Sequence, residues 1–258
     1  MTGAIVSELD PVNNFKTITM PAGDYLIKIR SLVEYTGDSN MHQNIFFQPD
    51  RNASFSRGGG SQQVYADSNS VHTLLSTNSC VSCNLTSANF SNANLSYANL
   101  SYANLTYTNL STANLSHADL SYAHLNNANL NYANFIYTNL SNANLTYAHL
   151  IWTNLGFANL SYANLSYAFL NNTEFNNALM SHANLLGANL SHAYLSYANF
   201  SNADLSYANL SYANLSYAKF SYANLSYANL SQANFCKAVK TGIIKTGITM
   251  TLNVVCWP

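Results

Sequence analysis

The residues able to do chemistry in this 258-residue chain are few and far apart. Four cysteines fall in two groups, Cys80 and Cys83 in a Cys-Val-Ser-Cys run, and Cys236 and Cys256 near the other end. Zinc would need two further ligands close to Cys80 and Cys83, and redox exchange would need a thioredoxin-like setting; the surrounding sequence supplies neither. What is left for that pair is a local disulfide or two free thiols. Cys236 and Cys256 are symmetric about Thr246, so a hairpin turning at Lys245-Thr246-Gly247 would set them opposite each other, with Gly ending a three-residue loop. A disulfide is expected there, with Cα atoms about 5.5 Å apart. Paired cysteines point to an oxidising compartment, hence to the outside of a cell or its surface.

Other chemistry lacks material. His117, His124, His149, His182 and His192 are spread through residues 84 to 235, where the acids are Asp119, Glu174 and Asp204. No Ser, His and acid constellation and no glycine-rich phosphate loop accompany them, so no catalysis, cofactor or metal is expected. Charged residues make up 7% of the chain, nine basic against ten acidic, where ordinary domains carry about 25%. Such a surface has no field to draw nucleic acid or anionic lipid. No run of about 18 apolar residues offers a transmembrane helix, and the first twenty residues, with Glu8 and Asp10, do not read as a secretory signal as they stand.

The elements that would position any site follow from a repeat. From Asn84 to Phe235 the sequence recurs every five residues through 31 pentads without insertion, as in Ala93-Asn94-Leu95-Ser96-Tyr97. The central position is Leu or Phe except at Met180; two residues earlier stands Ala, Thr (108, 138, 153, 173) or Cys83. On a helix a period of five rotates each repeat by about 140° and smears the Leu stripe. On a flat strand an odd period sends successive Leu to opposite faces. A backbone that turns a corner in every pentad satisfies the pattern, with Ala and Leu inside and Asn, Ser and Tyr outside.

Over residues 84 to 235 this pattern of a small residue, Asn or Asp, Leu or Phe, and two variable positions resembles the pentapeptide-repeat family. The resemblance implies an all-β fold, a right-handed quadrilateral β-solenoid with four pentads per coil, so that 31 pentads make nearly eight coils. Stacked at about 4.8 Å, they form a rod of roughly 37 Å. Burial of the central side chains contributes at most about 1.5 to 3 kcal/mol each before entropy.

With twenty residues per coil, Tyr197 stacks under Tyr217, Tyr207 under Tyr227 and Tyr147 under Tyr167. Such ladders either stabilise the rod or form a wall for carbohydrate or neighbouring rods. Asn precedes the central residue in 22 of the 31 pentads, and stacked Asn can hydrogen-bond along the rod. The outward polar rule is broken at Ile136, Ile151, Trp152, Phe157, Phe169, Leu179, Leu186 and Tyr194. The twenty-residue ladder puts Ile151, Trp152 and Phe169 on one face in adjacent coils, with Phe157 and Tyr194 on the next. These residues are either scattered surface hydrophobes or a patch that marks a partner contact.

The ends differ from the rod. Residues 1–78 hold five of the nine basic and seven of the ten acidic residues and read as a small β-sandwich-like domain with strands at Thr17 to Met20, Tyr25 to Val33, Ile45 to Gln48 and Gln63 to Tyr65. A short helix over Ser68 to Ser76, with Val71, Leu74 and Leu75 at helical spacing, would deliver the chain to the solenoid at 79–235. Residues 236–258 read as a C-terminal β-hairpin in which Ile248, Met250, Leu252 and Val254 share one face. It would cap the last coil or add to another chain's sheet. One β-domain, a rigid rod and a sticky strand describe a non-enzymatic structural protein that assembles with itself into an extracellular fibre or surface layer. Two alternatives stand beside it: the gyrase-binding DNA mimicry of some members of the family, which requires rows of carboxylates, and a carbohydrate- or ice-binding wall.

Overall fold

The computed structural model describes residues 66–250 together with two short strands, β1 (Ile5–Val6) and β2 (Ile18–Thr19). The chain divides into two compact units, residues 1–46 and 47–258. In the first, β1 and β2 pair antiparallel, with Ile5 opposite Thr19 and Val6 opposite Ile18. The expected segment Thr17 to Met20 contains β2. Those at Tyr25 to Val33, Ile45 to Gln48 and Gln63 to Tyr65 lie outside the described residues.

The second unit contains a parallel coil whose every turn is twenty residues. Bridges join residues twenty apart without a slip from Ser79↔Asn99 to Asn229↔Thr249. All 31 central residues from Leu85 to Phe235 are buried, and so are Ala98 and the alanines that follow it at the small position through Ala233. Where threonine takes the small position the hydroxyl is buried but not orphaned. Thr108, Thr138 and Thr153 donate to the carbonyls of Leu85, Leu115 and Leu130 in the preceding coil at 3.0, 2.8 and 2.8 Å.

One pentad shows why the coil needs its polar residues. In Ala113-Asn114-Leu115-Ser116-His117, Ala113 N–H closes the preceding corner on Leu110 O (3.1 Å) and Asn114 N–H reaches back to Ala93 O (2.9 Å). Leu115 and His117 N–H reach forward to Asn134 O (2.8 Å) and Ile136 O (3.0 Å). The fifth donor, Ser116 N–H, has no carbonyl to meet and is accepted by the Asn114 side chain at 3.1 Å. Asn or Asp at this position is thus an Asx turn that completes the backbone accounting. At the corner, the residue after Ser takes a positive φ, as the third residue of a type II turn does; it is 60° at His117 and at Tyr97. A side chain there costs about 1–2 kcal/mol, and ring stacking up the corner offsets part of it at about 0.5–1.5 kcal/mol per pair.

The N-terminal cap is α1 (Ser68–Thr77), started by Asp67, whose side chain accepts Asn69 N–H, and ended by Asn78 in the left-handed region at φ 55°. Leu74 is buried in the solenoid core and Val71 packs against it, whereas Leu75 faces solvent. Leu74 and Val71 thus join the solenoid's core cluster from within the segment expected to belong to a domain over 1–78.

The C-terminal end also departs from expectation. Residues 236–250 form no hairpin; they continue the coil, with Val239, Ile244 and Thr249 bridged to Lys219, Asn224 and Asn229. Gly247, expected to end a hairpin loop, is a corner residue with φ 66°. Ile248 and Met250 pack against the core as small and central residues of a pentad, so they are not free for strand addition; Leu252 and Val254 lie outside the described residues. The misreading has a physical source. A pentad's two inward positions flank one outward residue, which over three residues looks like strand alternation, and glycine at positive φ suits either turn. Lys240 and Lys245 occupy central positions in this last coil, where every earlier pentad buries an apolar side chain.

Candidate functional site

Cys80 and Cys83 are joined by a disulfide with Cα atoms 5.4 Å apart, across the first corner of the coil, and Cys80 Sγ lies 3.1 Å from Ser70 O of α1. Cys236 is also disulfide-bonded, while Cys256 lies outside the described residues. The expected pairing of the two therefore falls outside the described residues. Among the described residues no group of His, Cys, Asp and Glu could hold a metal, and no helix is long and apolar enough to cross a membrane.

The tyrosine ladders are present. Tyr197–Tyr217, Tyr207–Tyr227 and Tyr147–Tyr167 stack at 4.7, 4.9 and 5.3 Å between centroids. The longest ladder runs Tyr97, His117, Tyr137, Phe157 at 4.8, 5.1 and 4.9 Å. Rings stacked this way cover the faces they share and stabilise the rod along its corners.

Asn ladders run along the flat sides, and they stop in the middle of the rod. On one side Asn109 and Asn129 each donate to the Asn one coil back, at 3.1 and 3.3 Å. His149 and Phe169 follow, and the ladder resumes with Asn209 to Asn189 at 3.3 Å. On the next side the series Asn94, Asn114, Asn134 gives way to Glu174 and Tyr194 before Asn234 to Asn214 at 3.3 Å. On a third, Asp119, Asn139, Asn159 is followed by Leu179. Phe169 and Leu179 have no atom to accept the corner N–H. Where His149 removes that acceptor, Ile151 N–H turns to Asn131 Oδ1 of the preceding coil at 2.8 Å; where Tyr194 does, Ser196 N–H turns to Asn176 Oδ1 at 3.2 Å.

The predicted patch is partly assembled. Phe169 stacks on His149 at 4.6 Å, and Ile151 and Trp152 form the corner directly after His149. Trp152 is 51% exposed, and among the described residues no ring stacks on it. Its N–H meets Asn171 O at 3.4 Å, against 3.0 Å for Tyr132 to Ile151 one coil earlier. Beneath it two successive coils place Thr153 and Thr173 inward in place of alanine. Phe157 is a rung of the long ladder. Tyr194 stands on the column of Asn154 and Glu174, the side that leads into the Phe157 corner, two coils beyond Asn154. Sequence reading missed His149 as a member; its twenty-residue spacing from Phe169 is the signal that points to it.

Charge gathers at the far end. Lys237 donates to Tyr217 Oη at 2.9 Å and lies 5.1 Å from that ring's centroid; this hydrogen bond holds its ammonium above the ordinary lysine range. Lys240 is pushed below that range, first by burial and then by the nearby Lys245 charge.

The model of pentapeptide repeats matches in eight copies, over residues 83–156 and 158–239. Among solved structures the chain is similar to HetL, a pentapeptide repeat protein involved in heterocyst differentiation regulation from the cyanobacterium Nostoc sp. strain PCC 7120. Identity is 33% over 66% of this chain and 87% of that one, with a TM-score of 0.31. It is similar to QnrB1, a plasmid-mediated fluoroquinolone resistance protein, at 17% identity over 67% of this chain and 83% of that one, TM-score 0.48. A pentapeptide repeat protein from the Arabidopsis thaliana thylakoid lumen matches at 32% over 31% of this chain and 56% of its own, TM-score 0.31. No curated protein matches significantly. With the family model spanning more than half the chain and a repeat register unbroken across it, the chain belongs to the pentapeptide repeat family.

Proposed function

We propose that this is a non-enzymatic structural protein that assembles with copies of itself into an extracellular fibre or surface layer. The observation that carries the reading is the concentration of departures from the Asn rule at His149, Phe169, Glu174, Leu179 and Tyr194, beside the open Trp152. Phe169 and Leu179 give up the side-chain acceptor of the corner, His149 and Tyr194 leave it to an Asn of the preceding coil, and none of them gains core packing in return, which is where a contact surface is expected. A wall with almost no charge fits another uncharged wall, and the rod's own sides are of that kind. Lys240 and Lys245, at the central positions of the last pentads, put charge at that end and oppose coil-on-coil stacking there, as lysines do at sheet edges. Side-by-side assembly is the arrangement that remains for the described residues. The two disulfide-bonded sites fit an oxidising location.

Mimicry of DNA toward gyrase is disfavoured by charge, because the pentads offer Asp119, Glu174 and Asp204 where rows of carboxylates are needed. Negative-stain microscopy and light scattering over a concentration series test the proposal. Rods that associate laterally, and that separate on Trp152→Ser without loss of the β circular dichroism signal, are the expected result. A wild-type protein monomeric at high concentration refutes it.

A further inference from the structure

One corner of the rod carries the series Tyr147, Tyr167, Gly187, Tyr207, Tyr227 at twenty-residue spacing. Tyr147 stacks with Tyr167 and Tyr207 with Tyr227, so the ladder is complete except for one missing rung. Gly187 sits at φ 64°, the same corner conformation that Tyr, His, Asn and Trp adopt elsewhere in the rod. Glycine is therefore not required there by the backbone. Two coil heights separate the Tyr167 and Tyr207 rungs, about 9.6 Å, which is the room one further ring takes up at the ladder's own spacing.

Three features show that the rungs beside Gly187 are altered. Tyr167 leans into the gap: its ring carbons lie 2.7 and 2.8 Å from where a Cβ on Gly187 would stand. Its stack on Tyr147 stands at 5.3 Å, wider than the 4.7, 4.8 and 4.9 Å of the other tyrosine pairs. Tyr207, with Gly187 in place of a ring on its near side, is 62% exposed. The floor is the Leu186-Gly187 corner, pinned by Gly187 N–H to Ser206 O at 2.9 Å and Leu186 N–H to Asn184 Oδ1 at 3.0 Å. Gly242 and Gly247 are also overlain by tyrosines, but no described ring follows them.

We propose that the gap over Gly187 is a binding slot for one planar aromatic ring, stacked between Tyr167 and Tyr207. The bound ring becomes the missing rung and returns Tyr167 to its stack on Tyr147. Face-to-face contact on both sides with an apolar floor selects flat aromatic or heteroaromatic groups over aliphatic ones. The group can come from a small molecule or from an aromatic side chain of another protein.

The test uses thioflavin T as the planar probe, titrated by fluorescence into the full chain. Saturable binding is expected, with affinity falling at least tenfold in Gly187→Tyr, which fills the slot with the chain's own ring. That variant should fold with an unchanged or higher Tm, because tyrosine occupies this corner conformation throughout the rod. Tyr207→Ser, which removes one wall, should weaken binding likewise. Wild-type affinity in either folded variant, or no binding by the wild type, overturns the proposal. Competition by N-acetyltryptophanamide identifies a slot that accepts a protein's indole; its failure assigns the slot to free heteroaromatic molecules.

Discussion

Asn114 donates its Nδ2 to Asn94 Oδ1, one coil below, at 3.4 Å, while its own Oδ1 accepts Ser116 N–H at 3.1 Å and Asn134 Nδ2 at 3.2 Å. One carboxamide thus ties three coils and completes a corner. Asn114→Ala should lower stability by about 1–2 kcal/mol, since it leaves a partly buried N–H without an acceptor. Asn114→Asp should cost less, because Asp119 makes the same Asx turn and accepts from Asn139. Urea unfolding of the two variants measures the difference.

The inward positions are not equally sensitive. Leu150→Ala removes most of a fully buried central side chain and should cost about 2–5 kcal/mol through lost burial and a cavity. Thr153→Ala should stay within about 1 kcal/mol, because alanine already fills most small positions and the Leu130 carbonyl keeps its bond from Ala133 N–H. Equal losses for the two would mean that the core is not packed in the alternating small and large layers described.

The two corner and end lysines should titrate in opposite senses. Lys240 has its pKa lowered by burial and by Lys245, so the unfolded chain binds more protons in a window just below the ordinary lysine range. Its contribution to stability therefore rises with pH there. Lys237 has its pKa raised by its bond to Tyr217; its contribution is complete below the ordinary range and is lost as pH climbs through the higher value. Side-chain ε-carbon shifts in an NMR pH series should show Lys240 losing its proton before Lys237.

If Lys240 and Lys245 keep the last coil from pairing with another chain, Lys240→Leu combined with Lys245→Leu should create an end that associates. Sedimentation velocity is expected to show larger species for the double variant at concentrations where the wild type has none. An unchanged distribution would assign end protection to other residues.

Much of this was legible in one dimension. A five-residue period with Leu or Phe at its centre admits no helix and no flat strand, so the buried set from Leu85 to Phe235, the twenty-residue tyrosine pairs and the Asn ladders could be written down from spacing and the family pattern. Trp152 and Phe169 were visible as breaks in that pattern. What spacing could not supply was the direction of each bond. That Asn completes a corner, that tyrosine sits at positive φ, that residues 236–250 stay in the coil with lysines at two central positions, and that Tyr167 leans over Gly187 all depend on contacts between residues twenty apart. Local sequence carries the choice between inward and outward; only the stacking of one coil on the next decides which polar group finds a partner and which ring is left with an open face.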